Sequence, residues 1–217
     1  MDHAAVSALR ARLLSAAAKR IPKAAAASCA RALGLWRDEE VKFTTEAQFL
    51  LVLDLGVFAP PGGHTPALAR EARQPHDAEE AAVLAALADA RFTLFRLGAA
   101  HPEGGARAED LLRGTEIRLR DDRLQQPEFE GVAFAGRLMR LDGLDWTCGA
   151  VAPLTDEVLE ELLGRPVARP PAPRMLPPLT PPAPEDLAVL RAAALAEDFA
   201  ARTYRAALDH GLLGKRP

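Results

Sequence analysis

Apolar positions in the first ninety residues recur at helical spacing. Val6, Leu9, Leu13 and Ala16 or Ala17 fall at i, i+3 and i+7, which predicts a helix from Ala4 to Arg20. Ile21-Pro22 stops it, because the residue before a proline is pushed out of the α region. Pro22 then opens a second helix that runs to Leu33 and is closed by Gly34. A third runs from an N-cap at Thr44 or Thr45 to Val57, with Phe49, Leu50, Leu53 and Val57 along one side, and Pro60-Pro61-Gly62-Gly63 ends it. A fourth spans Asp77 to Ala90. Asp77 caps it, Glu79 and Glu80 complement the helix dipole, and Val83, Leu84 and Leu87 face inward.

Beyond Ala90 the period changes to two. Strands are expected at Phe92–Leu97, Ala106–Leu112, Thr115–Arg120, Val132–Leu141 and Trp146–Leu154, with a bulge at Gly136 and a hairpin turn at Asp142-Gly143. Ile117 and Leu119 alternate with Glu116, Arg118 and Arg120, the pattern of a half-buried antiparallel sheet. Short strands so closely spaced predict a small antiparallel β-barrel or curved sheet. Thr155-Asp156-Glu157 caps a short helix to Leu163. Nine of the 18 prolines then lie between Pro166 and Pro184, which predicts an extended polyproline-II spacer. A last helix is expected from Glu185 to about Leu208. Ala188, Ala192, Leu195, Phe199 and Ala206 form its apolar stripe, which should dock on its own chain or on another. The fold class is α+β, in four parts: a helical region 1–90, a barrel-like unit 91–164, a proline-rich linker 165–184 and a C-terminal amphipathic helix 185–217.

Composition narrows the function classes. The net charge of −3 removes a whole-molecule case for a nucleic-acid or anionic-membrane partner. Arginine outnumbers lysine 23 to 4, alanine reaches 45 and asparagine is absent, a skew that reflects GC-rich, bacterial coding rather than phosphate binding. No apolar run is long enough for a membrane span, and Phe49–Leu53 is cut short by Asp54. Cys29 and Cys148 lie far apart without a CxxC unit, which excludes a disulfide framework and a thiolate zinc site and fits a reducing cytoplasm. Residues 1–36 carry Arg10, Arg12, Lys19, Arg20, Lys23 and Arg31 against the single acid Asp2. A packed surface helix is the reading that the spacing supports, and a targeting segment or a nucleic-acid arm are its alternatives.

Candidate chemistry is sparse. His3, His64, His76, His101 and His210 stand in no recognisable catalytic or metal motif, and both cysteines read as packed hydrophobes. Glu39-Glu40, Asp121-Asp122 and Glu160-Glu161 read as solvated faces, and Gly62-Gly63 and Gly104-Gly105 as turns. No catalytic, cofactor-binding or metal-ligating residue is assigned, and no cofactor is expected. AAASCARALGLW resembles the first helix and glycine turn of a helix-turn-helix, yet acids follow where a recognition helix would begin. Arg96, Arg118, Arg120, Arg137 and Arg140 form a potential basic strip on the barrel, with few aromatics to stack bases. Pro170–Pro173 and Pro178–Pro181 have PxxP spacing, for which a spacer is the preferred reading.

The run DARFTLFRL, EDLLRGTEIRL, GVAFAGRLMRL and WTCGAVAPL, with LDLGVF upstream, resembles an uncharacterised bacterial protein family over about residues 8 to 165. Some members of that family carry a C-terminal SEC-C-type zinc motif. This chain departs from them, having no cysteine after Leu163. The resemblance implies no activity, substrate or metal.

The expected function is a non-enzymatic protein-interaction or adaptor module in the cytoplasm. Its partner would be another protein or a second copy, met through the C-terminal helix at Ala188, Ala192, Leu195 and Phe199. The alternative is an RNA- or DNA-binding regulator that uses the barrel arginines and the basic N-terminal helices. No membrane partner is expected.

Overall fold

The N-terminal helices form where their spacing and caps dictate. In the computed structural model, which describes residues 2–70, 75–166 and 176–215, α1 (His3–Ala18) turns at Ile21-Pro22 into α2 (Lys23–Ala32). Val6, Leu13 and Ala17 form the buried face of α1. A hairpin follows, β1 (Trp36–Arg37) and β2 (Glu40–Val41), turning through Asp38 and Glu39 at positive φ. Strands thus stand where a recognition helix would have followed Gly34. Thr45 caps α3 (Glu46–Phe58) by accepting the Gln48 N–H at 3.3 Å, and Asp77 caps α4 (Ala78–Ala88) by accepting the Glu80 N–H at 2.8 Å.

Five strands follow: β3 (Arg91–Ala100), β4 (Ala106–Asp110), β5 (Thr115–Arg120), β6 (Ala133–Leu141) and β7 (Leu144–Leu154). They close into a barrel in the order β3-β4-β5-β7-β6. The antiparallel expectation needs correction at one seam, where β5 and β7 run parallel with Leu119 opposite Asp145 and Arg120 opposite Trp146. The reason is topological: an odd number of strands cannot alternate in direction all the way around a ring. Phe95, Leu97, Ile117, Leu119, Phe134 and Leu138 fill the interior.

A bulge interrupts β6 and β7. Gly136 pairs with Val151 and Leu138 with Thr147, so residues 148–150 stand opposite Arg137 alone. Gly136 suits the bulge, because a Cβ there would crowd the Ala150 carbonyl oxygen at 3.0 Å. The hairpin itself turns on Asp142 and Gly143, both at positive φ.

α5 (Asp156–Leu163) ends at Gly164 in the left-handed conformation. Part of the expected spacer, residues 167–175 with the first PxxP, lies outside the described residues. Residues 176–183 form neither helix nor strand, but Leu179 is buried and donates its N–H to the Gly131 carbonyl at 3.0 Å. The single C-terminal helix is also corrected. Two helices form, α6 (Pro184–Ala193) and α7 (Phe199–Asp209), joined by a turn at 194–198. Ala194, Leu195, Ala196 and Glu197 are good helix formers, so packing rather than propensity breaks the rod. The break lets Leu190 of α6 and Phe199, Tyr204 and Leu208 of α7 all reach the core. Phe92 of β3 meets Tyr204 edge-on at 5.2 Å and Phe199 at 5.9 Å. One buried cluster thereby joins α2, α3, α5, α6 and α7 to the outer side of the barrel.

Candidate functional site

α3, EAQFLLVLDLGVF, is apolar on every side, which one-sided packing against a core does not require. Leu51, Val52 and Leu55 face the core. Phe49, Leu50, Leu53, Val57 and Phe58 line a cleft of about 610 Å³, with Val57 itself buried and Leu50 and Phe58 also packed against the core. The end of α1 supplies one further wall through Leu14, Ser15, Ala18 and Lys19, and the β7 bulge another through Cys148, Gly149 and Ala150. Phe49 is 43% exposed and meets Phe43, 38% exposed, edge-on at 5.4 Å, so apolar surface continues past the rim.

Hydrogen bonds pin the bulge wall. Arg123 donates to the Gly149 carbonyl at 3.2 Å and Arg10 to the Thr147 carbonyl at 2.7 Å. Arg123 also pairs with Asp121 at 2.7 Å, and the Thr147 hydroxyl donates to the same carboxylate. Burial pushes the Asp121 carboxyl up, but the bonds from Arg123 and Thr147 outweigh it and hold the group below the usual carboxylate range.

Asp54 forms the floor and is 5% exposed. The bulge turns Arg137 towards it, leaving Nε 3.5 Å from Asp54 Oδ1, while the guanidinium lies 4.7 Å from the Phe58 ring and 5.8 Å from the Phe92 ring. Tyr204 of α7 brings its hydroxyl towards the same carboxyl. Burial pushes the Asp54 carboxyl up, against the charge of Arg137 and the approach of Tyr204. Among the described residues none of these contacts reaches good hydrogen-bond geometry, and both carboxylate oxygens are shut off from solvent. α3, the barrel and α7 therefore meet at a buried ion pair with little hydrogen bonding to offset its desolvation.

Burial holds both thiols in their protonated form. Burial, with the charge of Asp54 adding to it, pushes Cys148 up to about 12, and burial likewise pushes Cys29 up to about 12. Unfolded thiols lose their protons near pH 8.5, whereas the folded ones keep theirs to about 12, so stability must fall as pH rises through that window. A thiol-disulfide reagent at pH 8 is expected to leave both unmodified in the native protein and to label both in denaturant. Fast native labelling of Cys148 would contradict its protonated, enclosed state.

The other expected residues are distributed differently. Arg96 pairs with Glu109 at 2.6 Å, Arg118 with Glu103 at 2.6 Å and Arg140 with Asp145 at 3.8 Å. Arg137 is buried, and Arg120 is half-buried with an enclosed Nε. Ala188, Ala192 and Leu195 are exposed, Leu195 by 87%, whereas Phe199 is buried. His64 Nε2 lies 3.1 Å from the Ser28 hydroxyl and ties the Pro60–Gly63 loop to α2. His3 packs against Trp146, and His210 lies 3.2 Å from Glu161. Among the described residues no three histidine, cysteine or acidic side chains cluster as a metal site would require.

In the sequence the Phe49–Leu50–Leu53–Val57 stripe reads as an ordinary packed face and Asp54 only as the end of an apolar run. The available signal was a helix apolar all round and interrupted by one acid.

A model of a family of unknown function, DUF7986, matches residues 6–166. The chain belongs to this family. The DUF7986 match runs from α1 through α5 and so includes every residue that lines the cleft, as well as Arg137. Tyr204, the third member of the buried polar group, lies beyond it. No curated protein and no solved structure matches the chain.

Proposed function

We propose that this chain is a non-enzymatic interaction module whose docking place is the cleft between α1, α3 and β7. One observation carries the reading: α3 turns Phe49 and Leu53 into the cleft, with Leu50 at its edge, after Leu51, Val52 and Leu55 have been spent on the core. A concave apolar site with one buried acid beneath it fits binding better than bond-making, since the thiol in its wall stays protonated. Ala188 and Ala192 of α6 and Leu195 of the following turn are exposed and do not line the cleft. The nucleic-acid reading draws less support, because Arg96, Arg118, Arg137 and Arg140 each face a carboxylate. A bacterial origin and a cytoplasmic location, read from composition and the two unpaired cysteines, are compatible with this role.

The test is a titration with the anionic, amphiphilic dye anilinonaphthalene sulfonate. Ser15 is exposed on α1 at the cleft, so Ser15→Trp fills the site without disturbing the core. Dye affinity should fall about tenfold, equivalent to about 1.4 kcal/mol, with the melting temperature unchanged. Equal binding by both proteins would remove the cleft as the docking place.

A further inference from the structure

Of the two charged residues that line the cleft, Lys19 and Asp54, only Lys19 is exposed. Lys19 stands just past the end of α1, is exposed, and has no acidic partner among the described residues. Arg20, which follows it, donates to the Arg70 carbonyl and is not part of the cleft lining. Asp54, the other charged lining residue, is masked: its oxygens are enclosed and Arg137 balances its charge. A ligand therefore meets apolar walls and, among the lining residues, the single exposed cation Lys19.

We propose that the cleft holds a single-chain amphiphile with an acidic head, a free long-chain carboxylate, whose chain lies along Leu14, Phe49, Leu50 and Leu53 and whose carboxylate meets Lys19. The inference rests on the reading of the cleft as the docking place and adds the chemistry of the occupant. The volume of about 610 Å³ falls within the range of sites that enclose small ligands. Apolar contact supplies affinity in proportion to the area buried, and the exposed Lys19 contributes the smaller share expected of a solvent-screened ion pair.

The experiment uses the full chain and three probes of equal chain length below their micelle concentrations: laurate, dodecanol and dodecylamine, each competed against anilinonaphthalene sulfonate. Laurate should displace the dye at concentrations roughly three- to tenfold below dodecanol, with dodecylamine weakest, and the laurate advantage should shrink in high salt. Lys19→Glu, an exposed change, should reverse the order of laurate and dodecylamine and leave the dodecanol dissociation constant, corrected for the anionic dye's own affinity for each protein, where it was. Equal displacement by all three, or an order unmoved by Lys19→Glu, would overturn the acidic head while keeping the cleft. Dodecylamine binding tightest in the wild type would overturn it in favour of Asp54 as the group that is read. Failure of all three to compete, together with dye binding indifferent to Ser15→Trp, would overturn the cleft itself.

Discussion

Removal of residues 185–217 is expected to abolish cooperative folding. Leu190, Phe199, Tyr204 and Leu208 are each at most 3% exposed and pack with α2, α3, α5 and the barrel wall. Burying a large apolar side chain contributes about 1.5–3 kcal/mol, so losing these four would cost roughly 6–12 kcal/mol. A whole domain is stable by only about 5–15 kcal/mol. The truncated chain should lose its near-ultraviolet circular dichroism and melt without a sharp transition. Retention of a cooperative melt at the full-length temperature would mean that α6 and α7 dock without completing the core.

Replacing Asp54 with alanine is the single substitution with the largest expected cost. It strands the Arg137 guanidinium in a buried site between Phe58 and Phe92. Breaking one side of a buried ion pair costs about 3–5 kcal/mol, because the surviving charge keeps its desolvation penalty. Changing both partners to apolar residues of similar size, Asp54→Leu with Arg137→Met, should recover most of that loss. Urea midpoints of the wild type, the single variant and the double variant test the point. A single variant within about 1 kcal/mol of wild type would show that solvent reaches Arg137 and that the pair is not sealed.

Local rules carried most of the architecture. Thr45 and Asp77 cap the helices they precede, Asp142-Gly143 turns the last hairpin, and Thr115–Arg120 is a strand over the residues its alternation marks. The parallel seam was not local information, since it follows from ring closure by five strands. The break at 194–198 was not local either, because Ala194, Leu195, Ala196 and Glu197 favour helix and only the position of the core decides against it. Asp54 stayed hidden for a related reason. Its partners come from a bulge at residue 137 and a helix at residue 204, and their convergence is a property of the assembled fold.

The acidic-head inference and the interaction reading share one geometric claim, that ligand lies between α1, α3 and β7. Amide hydrogen exchange with and without saturating laurate tests it position by position. Slower exchange in the second half of α1, along α3 and at residues 148–150 is the predicted outcome, with the outer face of α6 and strands β4 and β5 unchanged. Protection confined to α6 or to the arginine-bearing strands, or no protection anywhere, would contradict it.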